Sequence, residues 1–319
     1  MLSKKNYIGL GMFLAALSFF GFFRCIDYNK EINSFDYISL GTVLLFVFHS
    51  SIEMLKVNRQ NQKYSQRHMI IMSLFSVFLF LSLLGVIFSS FKDKHIIIDS
   101  PQEQTHLISC LSNFSKYALF SLFGLALTLF LYFLFNSSFR TQHLTHVLLI
   151  FAYISVFSAS FLSLILISYK WFLYLFLITI ASDSFAYFIG NLYGKRFLFP
   201  SVSPKKTWEG FLGAIVATTL LAVLFYSSSL NNYRAVIFLV VFTIINSIIA
   251  QMGDLIASKF KRDYKIKDFS NLFPGHGGLL DRFDSILFLS FFIVLILLSP
   301  WSDYVIQNMH DIFKLKEVK

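Results

Sequence analysis

Long runs of apolar residues, broken only by short polar clusters, dominate this chain. A helix needs roughly 20 apolar residues to cross a hydrocarbon core. On that criterion the pattern predicts about nine spanning helices, at approximately 7–23, 36–55, 69–91, 115–136, 145–168, 171–190, 210–226, 234–256 and 279–299. The fifth and sixth are parted only by Tyr169 and Lys170, the least distinct of these boundaries. The expected fold class is therefore all-α, a polytopic integral membrane protein. Residues 1–170 read as an N-terminal scaffold of about five spans, with no charged residue inside a span that demands a special account. Residues 171–319, with about four spans, read as the region that carries chemistry, and the two form one integrated membrane domain.

Composition supports lipid as the solvent. Of 319 residues, 56% are hydrophobic, 41 are Phe and only 14% are charged, which excludes an ordinary soluble domain of this length. The net charge of +10 does not point to nucleic acid, because the basic residues fall in short clusters between apolar runs. Cys25 and Cys110 are too few for a disulfide framework or a thiolate metal site. Lys4 and Lys5 precede an apolar stretch as in a signal peptide, but no small-residue cleavage site follows, so the stretch reads as a retained first span. The majority of the 27 Lys and Arg residues gather on one side if the N-terminus is inside. The positive-inside bias then places the segments 191–209 and 257–278 in the cytoplasm.

Ionisable residues change the picture in the C-terminal half. Asp183, Asp254, Ser258, Asp281, Arg282 and Asp284 crowd the ends of the sixth, eighth and ninth expected spans. A carboxylate at membrane depth is costly unless paired, hydrated or metal-bound, so each is a functional candidate. Asp254 and Ser258 are four apart and Asp281 and Asp284 three apart, so each pair shares a helical face. Carboxylates from two faces can converge on a divalent cation, and oxygen ligands without a His or Cys shell suit Mg²⁺ or Mn²⁺. A loop expected between these helices holds Lys259, Lys261, Arg262, Lys265 and Lys267, then Pro274-Gly275-His276-Gly277-Gly278. Cations and exposed backbone amides both favour phosphate. A second loop, Ser203-Pro204-Lys205-Lys206-Thr207-Trp208-Glu209-Gly210, adds two lysines and two hydroxyls, again suited to phosphate.

The stretch from Ser258 to Asp284, SKFKRDYKIKDFSNLFPGHGGLLDRFD, resembles the signature of the phosphatidate cytidylyltransferase family. The matching positions are Ser258, Lys261, Arg262, Lys267, Asp268, Ser270, Phe273, His276, Gly277, Gly278, Asp281, Arg282 and Asp284. SPKKTWEG at 203–210, Asp183 with Ala186-Tyr187, Gly190 and Gly194-Lys195 resemble further blocks of that family. Departures are Ala257, where many bacterial members have Glu, Asn191, where Arg is common, and Phe185, where Gly is common.

The resemblance implies transfer of a cytidylyl group from CTP to phosphatidic acid, giving CDP-diacylglycerol and pyrophosphate. It implies that Asp254 and Asp281 hold the catalytic metal, Mg²⁺ or Mn²⁺, with Asp284 and Asp183 supporting it or positioning substrate. Lys205, Lys206, Lys261, Arg262 and Lys267 would bind the triphosphate and lipid phosphate, with His276 and Arg282 close by. Ser203, Thr207, Ser258, Asp268, Gly277 and Gly278 complete the expected substrate-binding set. A homodimer and a bacterial inner membrane with the site facing the cytoplasm also fit the resemblance. Two other readings compete with it. A CTP-dependent polyprenol or phytol kinase would release CDP instead, and a cation-coupled transporter would disperse its charges through the bundle midplane.

Overall fold

A computed structural model describes residues 34–57, 65–93, 106–136, 139, 141–230, 232–272 and 277–313. The helices are α1 (Ser34–Val57), α2 (Gln66–Asp93), α3 (His106–Phe135), α4 (Thr141–Ile150), α5 (Phe157–Ile167) and α6 (Tyr169–Tyr193). They are followed by α7 (Trp208–Phe225), α8 (Tyr233–Asp263), α9 (Leu280–Leu298) and α10 (Ser302–Phe313). Between α6 and α7 lies a hairpin of β1 (Phe197–Phe199) and β2 (Ser203–Thr207). The all-α polytopic expectation holds. Eight of the expected spans fall on described residues and each is helical, while 7–23 and Cys25 lie outside them.

The count of nine is not reached among the described residues. Six helical stretches are long and apolar enough to cross a membrane, and α9 with α10 makes a seventh only as a pair bent by 118°. Of the other three, 7–23 lies outside the described residues, α3 is fully described only over Leu122–Phe135, a shorter apolar stretch, and α9 carries Asp281, Arg282 and Asp284 in its first turns. The span expected at 145–168 is α4 and α5 joined through a wide π turn, Phe151–Val156, and the stretch Thr141–Ile167 passes as one span. It ends where Ser168 turns extended and its side chain accepts a hydrogen bond from the Lys170 N–H, capping α6.

The described residues divide into two compact units. The first takes those within Met1–Lys92, Ile98–Leu166 and Asp268–Arg282, and the second those within Asp93–Ile97, Ile167–Lys267 and Phe283–Lys319. In the first unit Met54 and Leu55 of α1, Phe80, Leu84 and Phe88 of α2, Leu129 of α3 and Val147 of α4 are buried. Lipid tails are as apolar as these side chains, so packing and hydrogen bonds hold the helices, and small residues permit close approach. Ser51, Ser73, Ser76 and Ser82 meet that need, each donating its hydroxyl to the carbonyl four residues back. Ser155, in the π turn, instead donates across to the Ser76 carbonyl at 2.9 Å.

In the second unit α6, α7 and α8 pack together. Tyr174, fully buried, accepts a hydrogen bond from the Asn246 amide at 3.0 Å, so this polar pair ties α6 to α8 inside an apolar core. The two-strand hairpin was not expected, since Ser-Pro-Lys-Lys-Thr has little strand propensity. It is antiparallel, with Phe197 opposite Thr207 and Phe199 opposite Ser203.

Candidate active site

The hairpin is held from below. Glu209, in the first turn of α7, accepts hydrogen bonds from the Lys195 and Arg196 N–H groups at 3.1 and 3.2 Å. Thr207 caps α7 by accepting from the Gly210 N–H at 3.2 Å, so its hydroxyl has a structural task beside its expected substrate contact. The guanidinium of Arg262 donates to the Val202 carbonyl and the Ile266 carbonyl, each at 3.2 Å. It thereby pins the hairpin to the chain that follows α8. These contacts fix Lys205 and Lys206 on β2, the first exposed and the second partly covered.

α8 continues to Asp263, seven residues past the expected end of its span at 256. Lys259, Lys261 and Arg262 are therefore helical and not in a loop. The apolar criterion stops where charges begin, but a helix continues past the hydrocarbon while its side chains remain satisfied. Lys259 and Asp263 form an i,i+4 pair at 2.7 Å on that extension. The correction has a functional consequence, because Asp254, Ser258 and Lys261 now recur at helical spacing on one face of α8.

Two ion pairs organise this face. Lys206 Nζ lies 2.6 Å from the Asp254 carboxylate, and Lys261 Nζ lies 3.6 Å from the Asp284 carboxylate. Lys261 and Asp284 are nearly buried, whereas Lys206 and Asp254 keep about a quarter of their surface open. Asp183 of α6 is accessible and lies within electrostatic range of Asp254, Lys206 and Asp284. Three carboxylates and two ammonium groups thus share one environment in the second unit, a set that can exchange internal partners for an anionic substrate with its cation. Ser258 is partly covered and Lys267 exposed.

Asp268, Gly277, Gly278, Asp281 and Arg282 belong to the first unit. Asp281 Oδ2 accepts hydrogen bonds from the Phe269 and Gly278 N–H groups, both at 2.8 Å, closing the segment on itself. Gly277 has φ +85°, and a Cβ there would stand 3.0 Å from Asp281 Oδ2 and 3.1 Å from Asp268 Oδ1. Both the backbone angle and the space therefore call for glycine. Asp268 is partly covered and Arg282 exposed, while His276, with Phe273, lies outside the described residues.

Sequence reasoning missed Glu53. Residues 1–170 were expected to hold no charged group of note within a span, yet Glu53 of α1 is only 3% exposed and accepts hydrogen bonds from Ser270, Leu279 and Leu280. The signal was local and weak: Glu53 precedes Met54 and Leu55, inside the apolar run, and is not at its charged edge with Lys56.

The expected ligands, Asp254 and Asp281, suit a hard divalent cation in chemistry, since both offer oxygen donors without sulfur or imidazole, and Asp183 and Asp284 are of the same kind. No preassembled cluster of three or more His, Cys, Asp or Glu exists among the described residues. That is compatible with Mg²⁺, which commonly takes one or two carboxylates and completes its shell with water and substrate phosphates.

The family model described as the cytidylyltransferase family matches residues 32–299. The chain belongs to the cytidylyltransferase family. Among the relatives of this chain, a protein named phosphatidate cytidylyltransferase from Bacillus subtilis is 46% identical over 117 residues, 37% of this chain and 43% of that protein. Proteins of the same name from Staphylococcus haemolyticus and Haemophilus influenzae are each 44% identical, over 36% of this chain and 44% and 41% of their own lengths. The chain thus spans less than half the length of these curated relatives.

Proposed function

We propose that this protein is a phosphatidate cytidylyltransferase, using CTP and phosphatidic acid to make CDP-diacylglycerol and pyrophosphate at the cytoplasmic face of a bacterial inner membrane. The observation that carries the reading is the shared environment of Asp183, Asp254 and Asp284 with Lys206 and Lys261, on membrane-spanning helices and a hairpin beside them. Such a set can receive a phosphate-rich substrate while the lipid tails stay in the bilayer.

A phosphate oxygen of phosphatidic acid attacks the α-phosphorus of CTP, forming a new P–O bond. The α–β anhydride bond breaks, and pyrophosphate departs with the electron pair. The nucleophile needs no strong base, because a phosphomonoester has a second pKa of about 6 and already carries negative oxygens near neutrality. The obstacle is electrostatic, since two polyanions must meet. Lys206 releases Asp254 to take phosphate oxygens, Lys205 and Lys267 add exposed cations, and Lys261 stays held by Asp284. Arg262 keeps the hairpin in register with the end of α8 through its two carbonyl contacts. A bound Mg²⁺ or Mn²⁺ would supply charge neutralisation at the phosphates, and Asp254 and Asp281 as its ligands are part of this proposal. A homodimer is proposed on the same footing, and light scattering of the purified protein tests it.

Purified protein given CTP, phosphatidic acid and Mg²⁺ is expected to release pyrophosphate and form a CDP-linked lipid. Release of CDP with a phosphorylated lipid alcohol would assign a kinase, and cation flux without nucleotide turnover a transporter.

A further inference from the structure

Glu53 occupies an unusual place for an acidic side chain. It lies near the end of α1, nearly fully buried, and its partners are more than two hundred residues away in sequence. Oε1 accepts from the Ser270 hydroxyl at 2.6 Å and from the Leu279 N–H at 3.1 Å, and Oε2 accepts from the Leu280 N–H at 3.1 Å. His49 Nε2, one turn earlier on α1, lies 3.3 Å from Oε1. The first N–H groups of a helix have no intrahelical acceptor, and a negative charge is favoured there. Glu53 therefore caps the start of α9 from a different helix, and these donors offset the cost of burying its charge.

The same segment is shaped to admit the carboxylate. A Cβ on Gly278 would stand 2.8 Å from Ser270 Oγ and 2.9 and 3.0 Å from the two Glu53 oxygens, so any side chain there would displace it. Asp281 grips the segment from within through the Phe269 and Gly278 amides. Two carboxylates thus hold Phe269 and Ser270 together with Gly278, Leu279 and Leu280, the last three directly before Asp281.

From this double grip we infer that Glu53 is a positioning residue, which fixes Ser270 and the start of α9 at 279–282 so that Asp281 is presented to the reacting phosphates in one orientation. The inference rests on the proposed cytidylyl transfer. Glu53→Gln conserves size but replaces one acceptor oxygen with an NH₂ that faces a donor, so at least one of the three bonds is lost.

The test measures steady-state kinetics and amide hydrogen exchange on the full-length protein in lipid nanodiscs. In Glu53→Gln, kcat is expected to fall about 10- to 100-fold, the scale of an ångström-level misplacement. KM for CTP should stay within about twofold, because Glu53 touches none of the cations assigned to the nucleotide. Exchange of the peptide covering 277–282 should accelerate while that of α6 and α7 does not change. Ser270→Ala, which removes one donor and keeps the carboxylate, should show the same pattern in milder form and serves if Glu53→Gln does not fold. A wild-type kcat in both variants would overturn the inference, as would unchanged exchange at 277–282. If the wild-type protein releases no pyrophosphate, the proposed reaction fails, and unchanged or accelerated exchange at 277–282 still decides whether Glu53 holds the segment.

Discussion

The ammonium of Lys206 lies 2.6 Å from the carboxylate of Asp254, joining the hairpin to α8 by a pair that solvent can still reach. A partly open pair of this kind contributes little to stability, but it holds the two groups side by side where a substrate phosphate could displace the carboxylate. Lys206→Ala is therefore expected to leave the thermal midpoint in detergent nearly unchanged and to raise the KM for CTP about 10- to 100-fold, the scale of one charge-assisted hydrogen bond. An unaltered CTP dependence would reassign Lys206 to topology and hairpin anchoring.

Lys261 and Asp284 make the opposite case. Their side chains are 11% and 9% exposed at 3.6 Å separation, so removing one takes the opposite charge away from the other in a poorly hydrated place, while Asp284 still accepts from the Ser285 N–H at 2.8 Å. Breaking a buried pair costs about 3–5 kcal/mol, and the long separation argues for the lower end. Asp284→Asn and Lys261→Met should each lower the thermal midpoint clearly, and the double variant should lose less than the two added together. Additive losses would mean that the two groups do not depend on each other.

Hydropathy made the helix interiors legible because a span needs a continuous apolar run, whatever it packs against. It drew α8 too short, since the criterion ends at 256, before Ser258 and Lys259, whereas the helix continues to Asp263. The hairpin escaped because Pro204, Lys205 and Lys206 read as a loop, and its register depends on Glu209 and Arg262 contacts outside the strands. Motif spacing did mark Asp183, Lys206, Asp254, Lys261 and Asp284, which the fold brings into one environment. Their pairing was not legible, since Lys206 stands 48 residues from the Asp254 it meets, and Lys261 stands 23 from Asp284 but only 7 from Asp254, so spacing carries no sign of the partner. Glu53 was hidden for the same reason: its three partners come from Ser270, Leu279 and Leu280.

Gly253 sits one residue before Asp254, where α8 meets α9. An added Cβ would stand 2.7 Å from Phe288 Cβ and 3.1 Å from its Cγ, so the two helices would have to separate. Overpacking of this kind costs about 1–3 kcal/mol. Gly253→Ala should lower the thermal midpoint and reduce turnover together, because the displaced helix carries Asp254. Adding Phe288→Ala should not restore either property, since the nearest clash is with the Cβ that alanine retains.

Asp281 offers the sharpest separation of structure from chemistry. One of its oxygens accepts the Phe269 and Gly278 N–H groups at 2.8 Å. Asparagine can turn its carbonyl oxygen to those same donors, so Asp281→Asn should keep the segment closed and the protein folded. What it loses is the negative charge expected to act on the cation and the reacting phosphates. Turnover should therefore fall by at least about 100-fold, as when a charge-stabilising group is removed from an active site, with hydrogen exchange at 277–282 close to wild type. Asp281→Ala should add accelerated exchange to the same loss of turnover. Near-normal turnover in Asp281→Asn would confine Asp281 to the structural role and remove it from the proposed metal ligands.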